Sequence, residues 1–526
     1  MLNKRLRRLS TWVAAGVLGA LLFSLSWTLQ PGSDFTTRAY AGFFNDDLEI
    51  FEQVMDLIAD KYWYPPNFKK MFSAAIKEMA ARTGKGTVTH EPADNLYTFR
   101  RGDGRIQVRI NFSRDDNMET LKEVFYFLAD QPEVKYTKYD LEVAAINGAM
   151  STLDSYSLFL DKDQFSKSMD DTEGKYGGLG MVITIKDNKL VVVKTMKNAP
   201  AERAGILPKD IITKVDGKII KGMQVGELAD KLRGHPNTKV TLTVYRPGIQ
   251  KEFTYKLTRE IIAVETVEFK MLKDRAAYLK ITSFSRQTNE QFEEALRKAQ
   301  QDTAKAFILD FRENPGGLLD QSIKIAGHFL KKGALVVYTQ GRTKKDYMEY
   351  RASYKNGLIK PPLVILIDRY SASASEIVAG SLKDLGRAII AGQNSYGKGS
   401  VQTIFKIGND QGLRLTTSKY FTPSGVDITK HGIIPEIMII PDLPGEGEDA
   451  PEGEKASLKS SSARSRSVVT LKKSELENYI KERGMTVEEG IDPLILFAQL
   501  IIKNTSVANK SHTLAKAREL AKDIHY

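Results

Sequence analysis

The sequence predicts a multidomain α/β protein, on three observations. The chain has 526 residues, more than one hydrophobic core organises, so three or more domains are expected. Hydrophobic residues make up 42% and charged residues 27%, the balance of an ordinary globular protein. Between residues 305 and 391, short apolar runs alternate with stretches of helical spacing, which implies strands joined by crossover helices.

Residues 1–41 read as a signal peptide or membrane anchor. Lys4, Arg5, Arg7 and Arg8 form a positive leader, 12–29 is an almost uncharged apolar run, and Ala39-Tyr40-Ala41 fits a small-x-small cleavage site. Positive charge before the run favours a cytoplasmic N-terminus with the rest exported. The run is long for a signal peptide and short for a membrane span, so both alternatives stand.

Residues 42–173 read as a helical region. Leu48, Phe51, Val54, Met55, Ile58 and Tyr62 form a helix stripe that Pro65-Pro66 ends. Helices are expected over 68–81, 118–129 and 140–150. Between the first two lies a hairpin turning at Arg101-Gly102-Asp103-Gly104 and alternating at Ile106, Val108, Ile110 and Phe112. Residues 174–260 form a strand-rich unit opened by Gly177, Gly178, Leu179 and Gly180, with strands over 181–185, 190–193, 210–215 and 240–245 and helices starting at Ala199 and over 224–232. Residues 261–440 carry the α/β core. Residues 441–467, rich in Pro, Gly, Glu, Ser and Lys, read as a flexible linker, and 468–526 as a helical region.

The chemistry concentrates in 368–403. An apolar strand over 363–367 runs into Ser371-Ala372-Ser373-Ala374-Ser375, and Glu376 opens a helical stretch that Gly386 stops. Amides at a helix start lack intrahelical acceptors and can face a developing oxyanion. A second strand, 388–391, leads to Gly397-Lys398-Gly399 and then Gln402. A serine hydroxyl becomes a nucleophile when a neighbour takes its proton, and a lysine does that once burial lowers its pKa. Spacing does not choose among Ser371, Ser373 and Ser375. A phosphate loop is discounted because the glycine upstream of Gly397-Lys398-Gly399-Ser400 is out of register.

The whole stretch resembles the carboxyl-terminal processing peptidases, or tail-specific proteases. The resemblance implies Ser373 as nucleophile, Lys398 as general base and Gln402 orienting the lysine. It covers about 45–65 and 140–440. Within it, 174–260 resembles a PDZ domain, whose glycine loop (Gly177, Gly178, Leu179, Gly180) would bind a terminal carboxylate while the next strand edge takes an added peptide strand. Asp310-Phe311-Arg312-Glu313-Asn314-Pro315-Gly316-Gly317 matches a family motif except at Phe311, and makes Gly316 or Gly317, with Ala374, the candidate oxyanion donors. The implied core is of the ClpP/crotonase-like kind. The stretch at about 66–136 departs from the family pattern and reads as an α+β insertion.

The function expected is a serine endopeptidase cleaving near the C-termini of extracytoplasmic proteins, in the periplasm or anchored in the inner membrane. Expected partners are protein or peptide substrates with free C-termini and the membrane through the N-terminal segment, with an adaptor protein and self-association left open. No cofactor or metal is read, and absence of cysteine excludes disulfides and thiolate metal sites. The formal charge of +12 is spread along the chain and is read as membrane-surface attraction and not as a nucleic-acid footprint. Two alternatives remain: a Ser–His–Asp triad using His431, and a PDZ scaffold with a silent protease domain.

Overall fold

The computed structural model describes residues 47–84, 87–92, 95–101, 104–129, 136–354, 359–408, 410–440, 442, 468–483, 492–503, 505 and 510–525. The leader expected over 1–41 lies outside the described residues, as do all but Asp442 of the linker.

Helix α1 (Glu49–Lys61) buries Phe51, Val54, Met55 and Ile58, the stripe the spacing implies. Helix α2 (Phe68–Thr83) starts where the Asn67 side chain accepts from the Lys70 amide and ends at Gly84, with φ 67°. Left-handed backbone there costs glycine little. Three strands follow as an antiparallel meander, β1 (Thr87–Glu91), β2 (Leu96–Arg101) and β3 (Gly104–Arg109). The single hairpin expected is thus its second half, β1 adding one strand. Helices α3 (Arg114–Ala129) and α4 (Lys138–Met150) complete the layer. Helices α2 and α4 cross closely: a Cβ on Gly148 would stand 2.5 Å from the Ala74 carbonyl oxygen.

These elements share one core with Phe159, Ile407, Leu413 and Leu415. The insertion is therefore built into the framework, since its apolar faces are covered by helices on either side of it in sequence. Strand β4 (Leu158–Leu160) and helix α5 (Lys162–Glu173) then lead out. Helix α5 was not foreseen; its apolar spacing is weak and it buries no residue fully.

The next unit is a sheet of β6 (Met181–Lys186), β7 (Lys189–Thr195), β8 (Ile211–Val215), β10 (Lys239–Arg246) and β11 (Lys251–Thr258), in the order β11-β10-β8-β7-β6, with the short β9 (Lys218–Ile219) beside β8. Its own core includes Leu179, Val192, Ile212, Leu228 and Leu242. Helix α6 (Val225–Leu232) closes it. Entry strand β5 (Lys175–Gly178) pairs antiparallel with exit strand β12 (Glu260–Ala263), so one ribbon ties both ends.

The α/β core is a seven-stranded sheet. In order it runs β13 (Val267–Met271), β14 (Ala276–Ile281), β15 (Ala306–Asp310), β18 (Leu363–Ile367), β19 (Ile389–Gly392), β22 (Ile437–Ile440) and β23 (Val469–Lys472). Only β13 is antiparallel to its neighbour. Alternate residues face two cores. Leu309, Ile365 and Ile390 meet α7 (Thr288–Gln301), α8 (Leu319–Gly327) and α9 (Ala374–Asp384), while Ile308, Val364 and Ile389 meet α10 (Lys473–Glu482), α11 (Pro493–Lys503) and α12 (Lys510–His525). Burial on both faces explains the unbroken apolar runs. The C-terminal region, expected to be helical, opens as β23, because Leu471 is buried against the sheet. A second sheet, β17 (Tyr347–Arg351), β16 (Leu335–Gly341), β21 (Gln411–Phe421) and β20 (Ser400–Ile407), takes β4 alongside β21.

Phe72 in the insertion is fully buried and meets Phe51 edge-on, ring centroids 5.6 Å apart. Phe72→Ala should lower the unfolding free energy by about 3–5 kcal/mol, measured by denaturant titration; a change near zero would mean the insertion is not part of the common core.

Candidate active site

Strand β18 ends at Ile367, and the turn to α9 is fixed by hydrogen bonds. The Asp368 carboxylate accepts from the Tyr370 and Ser371 amides, both at 3.0 Å. The Ser371 hydroxyl lies 2.9 Å from the Phe311 carbonyl, and the Ser375 hydroxyl donates to the Asn314 carbonyl at 3.1 Å. Both hydroxyls are fully buried and spent on holding the turn. Ser373 alone of the three lines the cleft.

Ser373 has φ 53° and ψ −113°, a backbone region that costs a side-chain-bearing residue energy and persists only where surroundings enforce it. The enforcement is visible. The Ser373 amide donates to Glu376 Oε2 at 2.7 Å, and the Tyr420 hydroxyl lies 3.2 Å from the Ser373 carbonyl. Gly316 closes in from the other side: a Cβ there would stand 2.7 Å from Ser373 Cβ. A strained serine on a strand-to-helix turn holds its hydroxyl out of the sheet.

Lys398 sits on the turn before β20. The Gly397 amide donates to Glu376 Oε1 at 2.6 Å and the Lys398 amide to Oε2 at 2.9 Å. Ser395 Oγ donates to Oε1 at 2.5 Å. One buried carboxylate thus holds the Ser373 amide and the Lys398 amide together. Burial pushes the Glu376 pKa up, and hydrogen bonds from Ser395, Gly397, Ser373 and Lys398 oppose the rise. Sequence reading took Glu376 only as a helix start. The signal was there: Ser373 followed three residues later by Glu376 is the S-x-x-E of a capping box.

The Lys398 ammonium is half-buried and lies 5.2 Å from the centre of the Tyr156 ring. Burial lowers its pKa, the Arg414 charge lowers it further, and Glu376 acts the other way. Ser373 and Lys398 line the same cleft, of about 850 Å³. Gln402 lines it too, but its carboxamide donates to Ser400 Oγ at 2.9 Å and Thr416 Oγ1 at 3.3 Å. In this conformation those hydroxyls take the amide that was expected to orient Lys398.

The oxyanion expectation narrows. The Gly316 amide donates to Asn314 Oδ1 at 2.9 Å and is not available. Gly317 has φ 143°, and Leu318 N bonds the Phe284 carbonyl at 2.7 Å beside it. The amides of Gly317 and Ala374 make no hydrogen bond among the described residues, so these two remain. Phe311, the departure from the motif, is buried and meets Phe284 at 5.8 Å. Below it Arg312 joins the buried Asp310 to Asp492, ahead of α11, each at 2.5 Å. His431 is exposed on a short 3-10 turn and does not line the cleft.

In the strand-rich unit, Gly177 and Gly178 pair with Ile261 and Glu260 in the β5–β12 ribbon, and the Leu179 side chain is buried in the core. A carboxylate loop therefore reduces to the Leu179 and Gly180 amides, which have no acceptor among the described residues. Gly180 needs its φ of 69°, with a Cβ only 2.2 Å from that of Ala199. Beyond it β6 ends its sheet, leaving one edge unpaired. Tyr176 and Arg233 of this unit, the guanidinium 4.6 Å from the ring centre, form part of the cleft wall.

A strained serine, a lysine of lowered pKa and the unpaired Gly317 amide in one cleft define a hydrolase of the serine–lysine kind. Comparison agrees. Residues 275–439 match the model of peptidase family S41 and residues 191–246 that of the PDZ domain. The chain is 42% identical over 316 residues to the carboxy-terminal-processing protease of Bartonella bacilliformis, covering 59% of this chain and 72% of that one. It is 36% identical over 331 residues to the "Probable CtpA-like serine protease" of Staphylococcus aureus, covering 63% and 66%. Among solved structures it is similar to the photosystem II D1 C-terminal processing protease, at 23% identity and a TM-score of 0.41, covering 79% and 97%. The chain belongs to the carboxy-terminal-processing proteases of peptidase family S41 and is a serine-type peptidase with a PDZ domain.

Glu376→Gln replaces an acceptor atom by a donor facing amides that already donate. It should lower kcat/KM at least about 100-fold, the scale of a catalytic group displaced by an ångström, with circular dichroism unchanged; full activity would make the carboxylate a bystander.

Proposed function

We propose that the chain is an endopeptidase cutting near the C-termini of extracytoplasmic proteins, with Ser373 as nucleophile and Lys398 as general base. The observation that carries the reading is the convergence of Ser373, Lys398 and Gly317 on one cleft, with the Gly317 and Ala374 amides unpaired among the described residues. Neutral Lys398 takes the hydroxyl proton as Ser373 Oγ attacks the peptide carbonyl carbon. The oxyanion formed is met by the two amides. On collapse the C–N bond breaks, Lys398 returns the proton to the leaving amine, and water, deprotonated by Lys398, hydrolyses the ester. Ser373 Oγ and Lys398 Nζ make no hydrogen bond to each other here. Such contacts commonly tighten only when substrate is bound.

The PDZ domain supports recognition of a chain end: an unpaired β6 edge adjoining free amides at Leu179 and Gly180 fits an added strand with its carboxylate. The name of the Bartonella relative supports cleavage at the carboxy terminus. For location, the basic leader and the 12–29 run support export, with the chain either released or held at the inner membrane. Among the described residues no helix is long and apolar enough to cross a membrane. Fractionation of cells before and after washing the membranes would separate a released form from an anchored one. A scaffold with a silent protease domain is disfavoured because the strained serine and the depressed lysine are both retained.

The test is incubation with an unfolded protein. Ser373→Ala and Lys398→Ala should each abolish cleavage, and the double variant should be no worse than either, because the two act as a unit. Cleavage by either single variant at the parental rate would refute the dyad.

The acid limb of kcat/KM reports Lys398 losing its proton. With its pKa lowered, activity should rise with pH along a limb below the ordinary lysine range. A rate flat through that range, or falling with pH, would contradict a lysine base.

A further inference from the structure

The cleft holds a cation that the hydrolysis above does not use. Arg414 lies on β21 opposite Ile404 of β20, and Gln402 lies opposite Thr416 on the same ladder. Side chains two apart on a strand share a face. Leu413 and Leu415 on either side of Arg414 are buried in the N-terminal core, so Arg414 is on the other face, where it lines the cleft with Lys398 and Gln402. It is half-buried. One guanidinium nitrogen donates to Ser168 Oγ of α5 at 3.1 Å, and it has no carboxylate partner among the described residues. The cleft's other arginine, Arg233, already stacks on Tyr176 and lies beside Asp170.

The dyad chemistry says which part of a substrate passes Arg414. Lys398 hands its proton to the leaving amine, so the departing segment lies on the lysine's side of Ser373. In a chain cut near its end, that segment carries the terminal carboxylate. A half-buried arginine fork with no acid of its own matches a carboxylate in geometry and charge. The Arg414 charge also reaches Lys398, which places the two cations in one part of the cleft.

We propose that Arg414 binds the terminal carboxylate of the departing segment and so fixes how far from the free end the chain is cut. The inference rests on the proposed roles of Ser373 and Lys398 and on cleavage near C-termini. It is separate from capture at β6: the PDZ groove takes up a free end, and Arg414 seats the end that has entered the cleft.

The experiment uses the full chain and two forms of one peptide, with a free and an amidated C-terminus. Both kcat/KM values and the cut positions are measured, the latter by mass spectrometry. The readout is the free-to-amide ratio within each protein, because removing a cation from beside Lys398 shifts the pH profile for both peptides alike. The parent should favour the free end by about tenfold or more, the worth of a charged hydrogen bond, and cut at one distance from it. Arg414→Gln should lower the ratio several-fold, leaving only the preference that the PDZ groove supplies, and scatter the cuts. Arg414→Lys, which keeps the charge without the fork, should fall between. Binding of the free-ended peptide to the PDZ groove, followed by anisotropy in Ser373→Ala and in Ser373→Ala with Arg414→Gln, should be the same in both. A ratio and cut position unchanged in Arg414→Gln would overturn the role of Arg414 while leaving cleavage near C-termini intact. A ratio of one in the parent would overturn both.

Discussion

The arrangement depends on one buried carboxylate. Glu376 is wholly shielded from solvent and accepts hydrogen bonds from the amides of Ser373, Gly397 and Lys398 and from the Ser395 hydroxyl. A buried acceptor with unmet donors around it is costly, and one with all of them met is rigid. Two turns 25 residues apart in sequence are thereby clamped to one point. The strain at Ser373 is tolerable because the same carboxylate holds its amide and Tyr420 lies against its carbonyl.

The rest of the fold places those turns. Both follow strands of one parallel sheet, β18 and β19, at the ends where crossover helices begin, which is where open α/β sheets gather their sites. Gly316 and Gly317 follow the neighbouring β15; a side chain at Gly316 would collide with the Ala372 carbonyl and Ser373, and one at Gly317 with the Phe284 backbone. The second sheet brings Gln402 and Arg414 from the opposite wall. The PDZ unit adds Tyr176 and Arg233, so domains remote in sequence share one cleft.

Much of this was legible in the sequence. The buried strands and the helix opening near Glu376 follow from apolar runs, and the turns carrying Ser373 and Lys398, which line one cleft, from the motif around them. Three things were not. That Ser371 and Ser375 are turned away from the cleft needed the partners of their hydroxyls, which lie about 60 residues away at Phe311 and Asn314. The loss of Gly316 as an oxyanion donor came from a local turn with Asn314, invisible in a glycine pair. Strand β23 was hidden because a short apolar segment before a helix has no period of its own; only contact with β22 makes it a strand. Glu376 was legible as a cap and misjudged, since a capping residue usually serves its own helix alone.

The most direct measurement of the central claim is to trap the nucleophile as a covalent adduct. The full chain is treated with a serine-directed electrophile such as a fluorophosphonate, at a series of pH values, and the modified residue is located by mass spectrometry. A single adduct on Ser373, forming faster as pH rises and absent in Lys398→Ala, is the expected result. An adduct on Ser371 or Ser375, or labelling of Ser373 that ignores Lys398, would contradict a nucleophile and base clamped by Glu376.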